Sequence, residues 1–74
     1  MSAREIPPIE RLSMLWVKSQ PVVWAYIQSA VRDHHHAEDI LQQVAQQTAA
    51  KFDAYDPERP FAAWAIGIAK NKVR

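Results

Sequence analysis

Apolar residues recur along this chain at the three- and four-residue spacing of helices, and prolines and turn residues cut the pattern into four segments. The first is predicted from about Pro8 to Gln20, with Ile9, Leu12, Leu15 and Trp16 on one side. Pro21 then stands where the first turn of a new helix tolerates proline. The second segment runs to about Arg32, with Val23, Ile27, Ala30 and Val31 spaced for one face, and Asp33 to His36 make a short polar break. The third runs from near Ala37 to about Phe52. Ile40, Leu41, Val44, Thr48 and Phe52 form its buried stripe, and Glu38 and Asp39 fall in its first turn, where negative charge is favoured. In the following loop, DAYDPERP, the Asp-Pro and Arg-Pro steps disfavour helix at Asp56 and Arg59. The fourth segment starts at Pro60 and places Phe61, Trp64, Ala65 and Ile68 on one face. These patterns predict a compact all-α bundle of about four helices, with residues 1–7 as an N-terminal extension and residues 8–74 as one domain.

Composition narrows the picture without changing it. A chain of 74 residues holds one small core. An apolar content of 49% argues against disorder, and a single glycine, Gly67, favours helix. The absence of cysteine excludes a disulfide framework and a cysteine-based zinc site. No apolar run approaches the roughly 20 residues of a membrane span, and MSAREIPPIE lacks the apolar stretch of a signal peptide. The expectation is a cytoplasmic protein with no membrane association. No nucleophile–base constellation and no glycine-rich phosphate loop are present, so no catalytic residue and no cofactor are expected. The His34-His35-His36 run lacks the separated spacing of helical metal ligands, and no metal is expected there.

Net charge is +1, but its distribution is uneven. Between His34 and Glu58 the acids Glu38, Asp39, Asp53, Asp56 and Glu58 face a single base, Lys51. From Arg59 to Arg74 the bases Arg59, Lys70, Lys72 and Arg74 meet no acid. That end suits a polyanion, although bases at a helix C-terminus also complement the helix dipole.

Two helix faces are not core. At about 100° per residue, the outer face of the third segment carries Asp39, Gln42, Gln43, Gln46 and Ala50. An ordinary solvent face mixes Lys and Glu, whereas amides exchange hydrogen bonds without the desolvation cost of a charge. The stripe suits docking against another protein's helix, or is simply an exposed glutamine-rich face. On the fourth segment, Ala63, Gly67, Lys70 and Arg74 lie opposite Phe61 and Ile68, with Asn71 at the border. Two small residues followed by two bases let a nucleic-acid strand approach closely, and asparagine reads base edges. Alternatively Gly67 serves close packing on a neighbouring helix and Asn71 faces water. Tyr55, in the loop, is either a lid on the core or a platform for an unpaired base. Trp16 and Trp64 are assigned to the core, while Trp24 stays open.

In order and at the right spacing, these pieces resemble region 2 of extracytoplasmic-function (ECF) sigma factors. That family has a helix ending in V-R-D, then A-E-D-[LI]-[LV]-Q-[ED], an F-D loop, and P-F-x-x-W-[LA]-x-x-I-A-[RK]-N. Here they stand as Val31-Arg32-Asp33, Ala37 to Gln43, Phe52-Asp53, and Pro60 to Asn71. The resemblance implies a non-enzymatic promoter-recognition module. It implies docking on the β′ clamp helices of RNA polymerase core through Asp39, Gln42 and Gln43, with Gln46 on the same stripe. Many members carry an acid where Gln43 stands. The resemblance further implies capture of a flipped base on the non-template strand of the minus-ten promoter element. Tyr55 would lie beside the pocket, Asn71 at its back, and Lys70, Lys72 and Arg74, with Arg59 on the loop, on phosphates. Housekeeping sigma factors carry paired tryptophans where Gly67 and Ile68 stand, as ECF members generally do not. An anti-sigma factor is implied by family habit. The pattern is still helical at Arg74, which leads to the expectation of a chain cut within region 2. The competing reading is a helical protein-interaction domain that binds a regulatory partner without a DNA role.

Overall fold

The computed structural model describes residues 6–74, which form three helices and a 3-10 turn. Helix α1 spans Pro8–Ala30, α2 His34–Ala50, the 3-10 turn Phe52–Ala54, and α3 Phe61–Lys72. The all-α bundle predicted from the pattern is present, with three helices where four were expected. Of the predicted N-terminal extension only Ile6 and Pro7 are described; Pro7 is the N-cap of α1 and Pro8 its first residue, a position where a missing N–H costs nothing.

The expected break at Pro21 does not occur, because α1 continues through it. A proline inside a helix removes one hydrogen bond and crowds the preceding turn, at a cost of about 3 kcal/mol. Pro21 sits on the outward side of α1, exposed, two residues before the fully buried Val23. The carbonyl it leaves without a partner belongs to Val17, also on the exposed side, where water can satisfy it. The apolar anchors Leu12, Val23 and Ile27 hold both halves against the same core.

The second boundary is also shifted. The polar break covers Val31–Asp33 rather than Asp33–His36, and α2 starts at His34 instead of Ala37. The cause is an N-cap: Asp33 Oδ1 accepts hydrogen bonds from the backbone N–H of His35 (2.9 Å) and His36 (3.1 Å). Glu38 and Asp39 therefore lie in the second turn of α2, not the first.

The core is Leu12, Val23 and Ile27 from α1, Ala37, Ile40 and Val44 from α2, and Phe61, Ala65 and Ala69 from α3. Thr48 is buried among them, with its hydroxyl donating to the Ala45 carbonyl at 2.8 Å. Leu15, Trp16, Trp24, Leu41, Phe52, Trp64, Ile68 and Val31 pack on this core half-buried. Two predicted core positions face solvent: Ile9, 67% exposed, and Ala30. Each lies towards an end of the long α1, which outruns its two shorter neighbours.

Candidate functional site

The three-residue turn at Val31–Asp33 makes α1 and α2 antiparallel, and the loop from Lys51 to Pro60 returns the chain so that α3 packs on both. One end of the bundle is closed by aromatic rings. Tyr55 packs against Phe52 (5.8 Å between ring centroids), Phe61 (5.4 Å) and Trp64 (5.0 Å), and its hydroxyl donates to the Arg59 carbonyl at 2.5 Å. The Arg11 guanidinium lies 5.3 Å above Phe52, tying the start of α1 to this end. Of the two geometries open to Tyr55, its ring adopts the lid. The remaining loop is self-braced: Asp56 Oδ1 accepts from the Glu58 N–H at 2.9 Å, and Asp56 Oδ2 lies 3.8 Å from Arg59 Nε.

A cleft of about 560 Å³ opens beside Tyr55, between Ile9, Arg11 and Leu12 of α1 and Phe52, Tyr55 and Pro57 of the loop. Asn71 is not among its lining residues, being ten residues further along α3 than Phe61, about 15 Å by helix rise. Tyr55 and Asn71 thus stand at opposite ends of α3 rather than on two walls of that cleft.

On α2 the amide stripe is intact. Asp39, Gln42, Gln43, Gln46 and Ala50 are all exposed, and among the described residues none of these side chains is tied up in an ion pair. Asp39 is the one carboxylate of the stripe. Its neighbour Glu38 is approached by His34 Nε2 at 3.6 Å and His35 Nδ1 at 3.7 Å. Such a face meets a partner with donors and acceptors already free and with little charge to desolvate.

On α3 the second face is equally open. Ala63, Gly67, Lys70, Asn71 and Arg74 are exposed, and Lys72 is half-buried. A β-carbon added at Gly67 meets no atom within 4 Å, so Gly67 does not serve packing against a neighbouring helix. Lys70, Lys72 and Arg74 have no ion-pair partner among the described residues, whereas Arg59 has Asp56. Phe61, Ala65 and Ala69 point the other side of α3 into the core, and Ala37, Ile40, Val44 and Thr48 do the same for α2. The amide stripe and the basic stripe consequently look outward in different directions.

The pattern of the sequence gives no sign of two further features. Trp24 rests edge-on against His34, with ring centroids 5.7 Å apart, and a groove of about 530 Å³ runs beside it between Val17 and Pro21 of α1 and Glu38 and Leu41 of α2. The Asp33 cap was not anticipated either, since the pattern placed Asp33 to His36 in a polar break.

Three packed helices with two solvent-facing stripes, one of amides and one basic, are the geometry on which the family question turns. The model of the family described as Sigma-70 region 2 matches residues 15–74, which take in most of α1 and all of α2 and α3. The chain belongs to the sigma-70 region 2 family. Comparison with curated proteins and with solved structures gave no match. As a sigma region 2 the chain binds RNA polymerase and recognises the minus-ten promoter element, and it is not an enzyme: the chemistry of initiation belongs to the polymerase. RNA polymerase core is a cytoplasmic machine, which places this partner of it in the cytoplasm. No helix among the described residues is long and apolar enough to cross a membrane.

Proposed function

We propose that this chain is region 2 of an ECF-type sigma factor, with residues 8–74 as the working domain, and that it divides its two functions between two helices. The α2 stripe of Asp39, Gln42, Gln43 and Gln46 docks on the β′ clamp helices of the polymerase. The loop and the outward face of α3 take the non-template strand of the minus-ten element. Arg59, Lys70, Lys72 and Arg74 hold phosphates there, and Asn71 reads an extruded base through its paired donor and acceptor atoms. Tyr55 is a positioning residue in this scheme, since its hydroxyl holds the Arg59 carbonyl and its ring anchors the loop to Phe61 and Trp64. An anti-sigma factor that covers the α2 stripe is the regulatory partner expected for such a factor.

The observation that carries the assignment is the coexistence, within a sigma region 2, of two exposed stripes of opposite chemistry on different helices. A protein-interaction domain with no DNA role would have no use for the unpaired bases of α3 or for a glycine there that no internal packing requires. The ECF assignment is supported by the ordered motifs at Val31 to Asp33, Ala37 to Gln43, Phe52-Asp53 and Pro60 to Asn71, and by Gly67 and Ile68 at the positions of the housekeeping tryptophans. The experiment is capture of fluorescent non-template minus-ten DNA, single-stranded and duplex, by polymerase core loaded with the chain. The single strand should bind more tightly than the duplex, and Asn71→Ala should erase most of that preference. An Asn71→Ala variant with the full preference contradicts the role given to α3.

A further inference from the structure

Pro21 leaves the Val17 carbonyl without its helical partner, and both residues line the groove of about 530 Å³ beside Trp24. In a helix the carbonyl of one residue is aimed along the axis at the N–H four residues on. The unpaired oxygen therefore lies between Val17 and Pro21, at the wall of the groove. Water satisfies it in the free chain, and a donor from a partner can take that water's place.

The other walls decide what carries that donor. Val17 is 69% exposed, Pro21 is exposed, and Trp24 and Leu41 are half-buried, so the groove has apolar sides open to solvent. Glu38 lines it from α2, with its side chain 52% exposed. His34 and His35 approach the Glu38 carboxylate at 3.6 and 3.7 Å, too far for hydrogen bonds. An orphan carbonyl from α1 and a carboxylate from α2 call for a group that only donates and is positively charged. Lysine and arginine carry such a head on a long apolar stem. Arginine suits the groove better, because its planar guanidinium serves two acceptors at once and packs on aromatic rings such as that of Trp24.

The groove also adjoins the docking stripe. Glu38, on its wall, and Gln42, in the stripe, stand four residues apart on α2, with β-carbons about 5–6 Å apart on one side of the helix. Leu41, the chain neighbour of Gln42, lines the groove as well. A partner seated on Gln42 reaches the groove within the span of one arginine side chain.

We propose, on the footing of the α2 docking role argued above, that the groove takes an arginine side chain from the polymerase surface that meets the stripe. Its stem packs on Val17, Pro21 and Trp24, and its guanidinium donates to the Val17 carbonyl and to Glu38. Pro21 is then part of the docking surface, since it is the residue that keeps the Val17 carbonyl free.

The test is the affinity of the chain for polymerase core, with thermal unfolding measured on the same variants. Pro21→Ala supplies the missing N–H and ties up the Val17 carbonyl. It should unfold at higher temperature than the parent yet bind about threefold more weakly, a combination that a purely structural role for Pro21 does not produce. Glu38→Lys, on the exposed side of α2, should bind about tenfold or more weakly, and Glu38→Gln about threefold. The double variant Asp39→Ala with Gln42→Ala is the reference for the stripe. Full affinity in Pro21→Ala and Glu38→Lys, with a weakened reference, overturns the inference and spares the reading of α2. Full affinity in all three overturns both. A loss in Glu38→Lys alone makes Glu38 part of the stripe and overturns the groove. A loss in Pro21→Ala alone assigns the effect to the shape of α1 and overturns it too.

Discussion

A β-carbon added at Gly67 would enter open space on a helix whose other side is core. Glycine inside a helix costs about 1 kcal/mol relative to alanine, and nothing within the chain repays that cost here. Gly67→Ala should therefore raise the stability of the domain by up to about 1 kcal/mol in thermal unfolding while slowing promoter opening. A gain in stability with undiminished opening would show that no strand approaches α3 closely at this point. Asp33 is a simpler case. Its carboxylate satisfies two N–H groups at the start of α2, so Asp33→Ala should cost about 1 kcal/mol in urea denaturation. In a domain this small that is a visible share of the total. The roles of individual residues were unevenly legible beforehand. The exposure of Gln42, Gln46 and Asn71 follows from helical phase alone. The lid geometry of Tyr55 does not, because it depends on three rings brought together from the 3-10 turn and α3.

At the scale of elements, the departure at Pro21 is instructive. Local chemistry there favours a new helix, and tertiary packing overrides it: Leu12 before the proline and Val23 and Ile27 after it belong to one buried stripe. Continuity costs one hydrogen bond on the wet side of α1 and preserves the burial of both halves. Pro21→Ala should accordingly stabilise the domain by about 2 kcal/mol, the helix penalty of proline less the entropy it removes from the unfolded chain. Equal or lower stability in equilibrium unfolding would mean that Pro21 itself serves packing. The start of α2 was misjudged for a related reason. Three consecutive histidines look like a polar interruption, yet the cap supplied by Asp33 recruits them as its first turn. For α3 the period was read from Phe61, Trp64, Ala65 and Ile68, of which Phe61 and Ala65 are buried, Trp64 and Ile68 are half-buried, and Ala69 completes the buried side; the Asp-Pro and Arg-Pro steps mark where the helix cannot begin earlier.

At the scale of the whole molecule, a bundle 46 Å long and 18 Å across has little interior and a large surface, and function is written on that surface. The core needs one side each of α2 and α3, which leaves their other sides free to specialise. The division was legible in the sequence because amides and bases are unusual choices for a plain solvent face. The groove beside Trp24 was not, since it arises only when separate helices are set side by side. An independent pair of faces predicts separable variants, with docking lost through α2 and DNA capture retained by α3. The most direct measurement is the affinity of the chain for the isolated β′ clamp-helix coiled coil of RNA polymerase. The double variant Asp39→Ala with Gln42→Ala, both exposed and outside the core, should fold normally and bind about tenfold or more weakly, a loss of about 1.4 kcal/mol or more. Unchanged affinity in a folded double variant would contradict the assignment of α2 as the polymerase-docking helix.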